Sequence, residues 1–398
     1  MRHVTRIGSP RATLAIAAGG FAGRLSRRLG LGDGSVIGGR VALAVDPCAL
    51  SRLAANRLVV LVCGTNGKTT TAHLLAAALR TRGPVAHNAT GANMADGAVA
   101  ALMARPAARW AVLEVDELHL ERVFDAVRPD VLLLLNFTRD QLDRVAEVAA
   151  VAARATAALA RHPGTVVVAN ADDPVVVRAV RATDVPAVWV AAGAHWQADT
   201  GPWQPDGHPA PLWTLRGDDV VGPCGQTPLK LRLPGPFNRG NAALALAAAD
   251  VLGVPMDEAA AAVSAVDSVA GRYAVARHHH HVLHLLLAKN PAGWAEVVPL
   301  LEEARSLLLV VNAREADGRD TSWLWDVPFE ELPVRPTVVS GERASDLGLR
   351  LSYADRAHRT EPDPLRGLRH LPPGAVHVVA NYTAFRRLIR RLGVGAVP

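Results

Sequence analysis

The feature that most constrains this chain is one short run, Cys63-Gly64-Thr65-Asn66-Gly67-Lys68-Thr69-Thr70, set between the apolar stretch Leu58–Cys63 and an Ala-rich helical pattern closed by Gly83 and Pro84. Strand, glycine turn, helix is the setting of a phosphate-binding loop. Glycines let backbone N–H groups close on phosphate oxygens, and the helix N-terminus adds positive potential. On this reading Gly64, Thr65, Asn66, Gly67, Lys68, Thr69 and Thr70 hold a nucleotide. Lys68 reaches its outer phosphates, and the Thr69 hydroxyl ligates Mg²⁺. The general pattern has a further glycine where this chain has Val62, so the loop is the shorter G-T-N-G-K-T form. The bland alternative is an ordinary turn with an incidental lysine, and composition argues against it. Of 43 basic residues only Lys68, Lys230 and Lys289 are lysines, so a retained lysine marks a place that needs a compact ammonium.

At 398 residues the chain has room for two or three domains of ~100–200 residues each. Half its residues are apolar, which fits an ordered globular protein. Cys48, Cys63 and Cys224 make neither a disulfide framework nor a four-thiolate zinc site, which points to a reducing, cytoplasmic setting. The charge of +6 is spread along the chain and selects no partner by itself. Arginines flank the apolar stretch 12–22 in a faintly signal-like way. The stretch is rich in Ala and Gly and too short to span a bilayer, so an amphipathic surface helix is expected.

Further buried-strand patterns lie at 110–115, 131–135, 165–169 and 187–190, with helical stretches between most of them. This alternation predicts a doubly wound, mostly parallel sheet. Residues 193–236, rich in Pro, Gly and Trp, read as an irregular β-rich insertion, after which a helix runs from Gly240 to Leu252. A second α/β unit has strand patterns at 282–288, 306–311, 337–339 and 375–380. The expected division is an N-terminal helix and connector at 1–55, a central domain at 56–268 and a C-terminal domain at 269–398.

The loop G-T-N-G-K-T-T is similar to the ATP loop of the Mur ligase family, which forms amide bonds in peptidoglycan synthesis. Other pieces follow in the family's order: Asn88–Gly97 with Asn93, Glu114 at a strand end, Asn170-Ala-Asp-Asp173, Pro236-Phe-Asn238-Arg-Gly-Asn241 and Gly271-Arg272. Within the family, Glu114-Val-Asp-Glu117, Asn136–Arg144, Leu287–Trp294, Ala316–Asp326 and Asn381–Ala384 resemble the MurT branch. The resemblance implies an α/β architecture with a P-loop central domain and a smaller Rossmann-like C-terminal domain. It implies ATP and Mg²⁺ as cofactors, with Glu114 binding the metal beside Thr69 and with Asn93, Asn238, Asn241, Arg272 and Asp317 contacting the nucleotide.

Asp116 and Glu117 fit either a catalytic or metal role or a solvated loop. Lys289 fits either phosphate or carboxylate binding or a structural ion pair. The resemblance implies that a C-terminal-domain aspartate completes the active site of a partner glutaminase resembling GatD, and Asp320 and Asp326 are the candidates. Asp140-Gln141-Leu142-Asp143 stands where many family members have a metal-holding histidine, which Gln141 cannot replace. Residues 150–161 lack the lysine that amino-acid-adding members carbamylate, which fits ammonia as nucleophile. Cys224 with His195 and His208 lacks a closed ligand set, so no structural zinc is expected. His278–His281 with His284 reads as a solvated turn, and the arginine-rich helix at 385–392 as packed on its own domain.

The implied function is ATP-dependent amidation of the D-glutamate α-carboxyl in the lipid II stem peptide, at the inner membrane surface, with ammonia from the glutaminase. A ligase adding an amino acid, as folylpolyglutamate synthase does, and a non-catalytic nucleotide-binding subunit are the alternatives.

Overall fold

In the computed structural model, residues 10–28, 35–88, 92–137, 148–193, 209–269, 272–314 and 317–393 are described. Asp140–Asp143, His195, His208 and Gly271 lie outside them. The chain divides into two compact units, the first from Met1–Thr138, Ala146–Arg232 and Pro236–Val266, the second chiefly from Asp267–Pro398.

The first unit opens with helices α1 (Pro10–Arg28), α2 (Ser35–Val45) and α3 (Ala49–Ala54) where a single helix and connector were expected. Then come β1 (Leu58–Cys63), α4 (Lys68–Arg80), β2 (Val85–His87), α5 (Ala95–Ala104), β3 (Trp110–Val115), α6 (Leu120–Val127), β4 (Val131–Leu134), α7 (Val148–Arg161), β5 (Val166–Asn170), α8 (Pro174–Arg181) and β6 (Ala187–Ala191). Strands β7 (Trp213–Arg216), β8 (Asp219–Gly222) and β9 (Gly225–Pro228) precede α9 (Pro236–Val251) and α10 (Met256–Ser264).

One nine-stranded sheet orders these β2-β3-β1-β4-β5-β6-β7-β8-β9. Strands β1 to β6 pair in parallel, and β7–β8 and β8–β9 are antiparallel hairpins. The central strands are apolar almost throughout because both faces are covered: α5, α6, α7 and α8 on one side, α4 and α9 on the other. The described part of the 193–236 segment is β-rich, as expected: it adds β7, β8 and β9 to the sheet, and residues 229–235 lead on to α9 outside any strand. Trp213 closes against Gly222, where an added Cβ would stand 2.5 Å from the indole ring.

Connections leave β1 toward β2 on one side and return to β4 on the other, so the loop after β1 sits at the point where strand order reverses. Open α/β sheets bind ligands there, beyond the carboxyl ends of the strands.

The second unit contains β10 (Tyr273–His278), β11 (His281–Leu287), α11 (Pro291–Val297), β12 (Leu307–Val310), β13 (Thr337–Ser340), α12 (Ala344–Tyr353), β14 (Arg359–Thr360), α13 (Pro364–Gly367), β15 (Gly374–Ala380) and α14 (Tyr382–Leu392). Its sheet runs β10-β11-β15-β12-β13-β14. Only β10 is antiparallel, hairpinned to β11 through exposed His279 and His280. One face is covered by α11 and α12, the other by α13 and α14.

Close helix contacts in the first unit depend on glycine. A Cβ on Gly39 of α2 would stand 1.9 Å from the Asp96 carbonyl oxygen of α5. That neighbour is backbone, which cannot step aside cheaply. Gly39→Ala should lower unfolding free energy by about 1–3 kcal/mol or more in urea titration, and an unchanged midpoint would show that the helices separate without cost.

Candidate functional site

The loop after β1 takes its shape from backbone conformations that favour glycine. Gly64 has φ 148° and Gly67 φ 80°, the latter at the N-cap of α4. A Cβ on Gly64 would approach the Leu135 Cβ to 2.8 Å and the Asn136 N to 3.0 Å, so the loop lies directly on the segment leaving β4.

Asn136, fully buried, fastens it there. The Thr65 N–H donates to the Asn136 carbonyl at 2.8 Å, and the Asn66 N–H donates to the Asn136 side-chain oxygen at 2.9 Å. The Asn136 amide donates back to the Asn66 carbonyl at 3.1 Å. This brace was not foreseen as a site element, although the sequence carries a signal for it: a polar side chain immediately after the apolar run 131–135.

Lys68 begins α4 and is 3% exposed. Its ammonium donates to the carbonyls of Gly64 and Thr65 and forms an ion pair at 3.1 Å with Glu117 Oε2. Thr69 Oγ1 donates at 2.8 Å to Glu114 Oε2. Glu114 is the register partner of Val62 across the β1–β3 pairing, which delivers its carboxylate beside the loop. The Asn88 side chain fixes that strand end: its oxygen accepts from the Glu114 N–H at 2.8 Å and its amide donates to the Glu114 carbonyl at 2.9 Å. The Asp116 N–H donates to the Asn93 carbonyl at 2.9 Å, and Asp116 Oδ1 accepts from the Leu118 N–H.

Lys68, Thr69, Glu114, Asp116 and Glu117 are thus all buried at the carboxyl ends of β1 and β3. Glu117 is the first carboxylate Lys68 meets, a geometry the solvated-loop alternative does not describe.

On the other side of α4, Thr71 Oγ1 donates to Asn241 Oδ1 at 3.1 Å, and the Asn241 amide donates to Asn238 Oδ1 at 3.2 Å. Both asparagines lie in the first turns of α9, which starts at Pro236 rather than Gly240. Thr70 is buried in the first turn of α4. Asp173 caps α8, accepting from Val175 and Val176, and its second oxygen accepts from the Phe137 N–H at 3.0 Å. Burial pushes its carboxyl up to about 6 against these three donors. Burial, reinforced by the Glu117 charge, raises the Cys63 thiol well above its ordinary value and keeps it protonated.

Thr69 and Glu114 fit a magnesium ion. Both present hard oxygens from buried positions, and Mg²⁺ usually takes one or two protein oxygens with waters and phosphates completing its shell. Among the described residues no cluster of three or more His, Cys, Asp or Glu could enclose a metal.

In the second unit Lys289 sits half-buried after β11, next to Asn290, whose side chain caps α11 by accepting from Gly293 N at 2.8 Å. Both oxygens of buried Asp317 are engaged: the Thr383 N–H donates to one at 2.8 Å and the Thr383 hydroxyl to the other. Burial raises this carboxyl above the ordinary range. Asn381 and Asn312 brace the neighbouring strand ends, Asn381 donating to the Asn312 carbonyl at 2.7 Å.

Asp320 is exposed and caps the turn Ser322–Asp326 through Ser322, whose donors hold its carboxyl low. Asp326 is exposed at the end of that turn. Arg272 is half-buried before β10, where its charge partly offsets the burial that pushes Glu296 up to about 8.

The sequence matches the Mur ligase middle domain over residues 62–249 and the MurT ligase C-terminal domain over residues 287–385. It is 30% identical over 384 residues to the MurT subunit of lipid II isoglutaminyl synthase (glutamine-hydrolyzing) of Staphylococcus aureus, covering 86% of this chain and 87% of that protein. To the Streptococcus pneumoniae protein of the same name it is 28% identical, covering 90% and 93%. Among solved structures, MurF from Acinetobacter baumannii superposes with a TM-score of 0.70 at 18% identity, covering 89% of this chain and 80% of that one. Folylpolyglutamate synthase of Mycobacterium tuberculosis complexed with ADP gives 0.67 at 18%, covering 87% and 92%. These two likenesses concern the fold.

Asn136→Ala should leave the Asn66 N–H and carbonyl without their partner, costing about 1–3 kcal/mol. The expected outcome is a loop that binds nucleotide roughly tenfold or more weakly by calorimetry; wild-type affinity would show that the loop holds itself. Because Asp173 titrates higher folded than unfolded, its contribution to stability is complete below about pH 4 and lost as pH rises through about 6. Unfolding of the wild type and of Asp173→Ser, which keeps a cap acceptor without the charge, should diverge across that window. Parallel curves would contradict the assignment.

Proposed function

This chain belongs to the Mur ligase family, in its MurT branch, and from that premise we propose that it is the ligase subunit of an isoglutaminyl synthase. Its substrates would be ATP, the D-glutamate α-carboxyl of a lipid II stem peptide, and ammonia. The observation that carries the reading is the cluster of Lys68, Thr69, Glu114 and Glu117 on the loop after β1 and the end of β3.

In this reading the loop N–H groups and Lys68 hold the triphosphate, Lys68 exchanging its Glu117 partner for phosphate oxygens. The substrate carboxylate attacks the γ-phosphorus, ADP leaves, and an acyl phosphate forms. Ammonia then adds to the acyl carbon, loses a proton and displaces phosphate to give the amide. Thr69 and Glu114 would hold Mg²⁺, which when bound neutralises phosphate charge. The protein's part is positioning and electrostatic stabilisation, since the leaving groups are supplied by ATP.

Glu117, released from Lys68, becomes a carboxylate close to the transferring group, suited to accept the proton that ammonia sheds. Asp116, with its backbone N–H tied to Asn93, keeps that loop in register. Asn238, Asn241 and Arg272 are proposed at the nucleoside, and Asp317 at the ribose once it exchanges Thr383 for a sugar hydroxyl. Lys289 is proposed at the phosphates or the substrate carboxylate.

The ammonia source would be a GatD-like glutaminase. The chain's own thiols are not proposed as the nucleophile: Cys63 is buried and protonated, and Cys48 and Cys224 are exposed and belong, among the described residues, to no cluster of three or more His, Cys, Asp or Glu that could hold a metal. Asp320 or Asp326, both exposed, would reach the partner's active site. Helix α7 carries arginines and no lysine, which favours ammonia over an amino acid as nucleophile.

Mass spectrometry of lipid II incubated with the chain, a glutaminase partner, glutamine and MgATP should show the acid converted to the amide. Lys68→Ala should abolish the conversion while the partner still co-elutes. Unchanged lipid II in a competent assay, or full activity in the variant, would contradict the proposal.

A further inference from the structure

Helix α1 inverts the usual arrangement of an amphipathic surface helix. Its inner face, Ala12, Ala15, Gly19, Gly23 and Ser26, is made of small residues, all buried. Small size is what the packing requires: a Cβ on Gly19 would stand 2.6 Å from the Gly38 carbonyl oxygen of α2, and one on Gly38 2.9 Å from that of Gly19. Apart from Ile16, which is half-buried against the core of the unit, the bulky side chains point the other way. Leu14, Phe21 and Leu25 are 61%, 62% and 44% exposed, and with exposed Ala17 they recur at helical spacing as one continuous apolar stripe. Folding uses the small face with Ile16 and leaves Leu14, Phe21 and Leu25 in water, a cost of burial forgone that an occupant would recover.

The charges around the stripe say what that occupant is. The first 32 residues contain six arginines and no acidic residue. Exposed Arg11 lies on one flank of the stripe, Arg24 on the other, and Arg28 continues it at the C-terminal end. The acids of adjoining helices are already engaged, Asp46 with Arg52 and Asp96 with Arg40. A second copy would set arginines against arginines in any two-fold pairing. An anionic bilayer supplies both an apolar interior for the stripe and phosphates for its rim.

No helix among the described residues is long and apolar enough to cross a membrane, so α1 lies on the surface. The other arginine-rich helix, α14, differs in having buried its apolar residues, Phe385 and Leu388, in its own unit.

We propose that the outer face of α1 is a docking surface for anionic lipid bilayers, with Leu14, Phe21 and Leu25 entering the headgroup–acyl boundary and Arg11, Arg24 and Arg28 contacting lipid phosphates. The inference rests on the helix alone. It also suits a ligase whose proposed substrate is lipid-linked.

The test is flotation of the full chain with vesicles of phosphatidylcholine alone or mixed with phosphatidylglycerol, without lipid II or ATP, so that amidation does not enter the readout. The wild type should float with the anionic vesicles only, and less as ionic strength rises. Leu14→Ser/Phe21→Ser/Leu25→Ser should lower binding roughly tenfold or more. Arg24→Gln/Arg28→Gln, which leaves every packed residue untouched, should lower it roughly fivefold per arginine removed. Both variants should keep wild-type unfolding midpoints. Failure of the wild type to float, equal flotation of the variants, or a concentration-dependent dimer dissolved by the serine substitutions would overturn the proposal, the last by assigning the stripe to a second copy.

Discussion

The structure of the first unit depends on one close approach, the backbone of Gly64 lying against Leu135 and Asn136. It can occur only if β1 and β4 are sheet neighbours, if position 64 has no side chain, and if Asn136 satisfies the polar groups that the approach buries. Once it is made, the Thr65 and Asn66 N–H groups are tied to Asn136, α4 starts at Lys68, and Thr69 meets Glu114 across the β1–β3 register. A displaced Asn136 would therefore be felt at the far side of the loop without any change in Lys68 itself.

The buried charges are informative for the same reason. Lys68 and Glu117 are both nearly inaccessible, and a buried ion pair seldom adds much to stability over apolar groups of similar size. A chain that keeps three lysines in 398 residues and buries one of them against a carboxylate has placed a charge where a polyanion can compete for it. The pairing gives the ammonium a partner to exchange. Asp173 serves a different purpose in the same neighbourhood, using both oxygens to join the segment after β4 to α8.

Much of this was legible in the sequence because parallel strands buried on both faces are nearly uninterrupted apolar runs, as in Leu58–Cys63 and Trp110–Val115. The loop was legible because glycine spacing and lysine position are local. What stayed hidden depends on distant partners. The pairing of Lys68 with Glu117 joins the start of α4 to the turn after β3, 49 positions apart, and Asp317 turns out to hold Thr383, a contact across 66 positions. Strand β10 was missed because an antiparallel edge strand with Arg277 and Val275 facing outward lacks the apolar run of its neighbours. The three-helix N-terminus was blurred for a related reason: its packing rests on glycines, which depress helical propensity while permitting close contact.

The central claim is that the loop from Gly64 to Thr70 binds a nucleoside triphosphate through its backbone and Lys68. Calorimetric titration of the purified chain with ATP in the presence of magnesium tests it most directly. The account predicts saturable binding at one site per chain, weakened when magnesium is chelated. Absence of heat and of any competing displacement of a labelled nucleotide, in a folded sample, would contradict it.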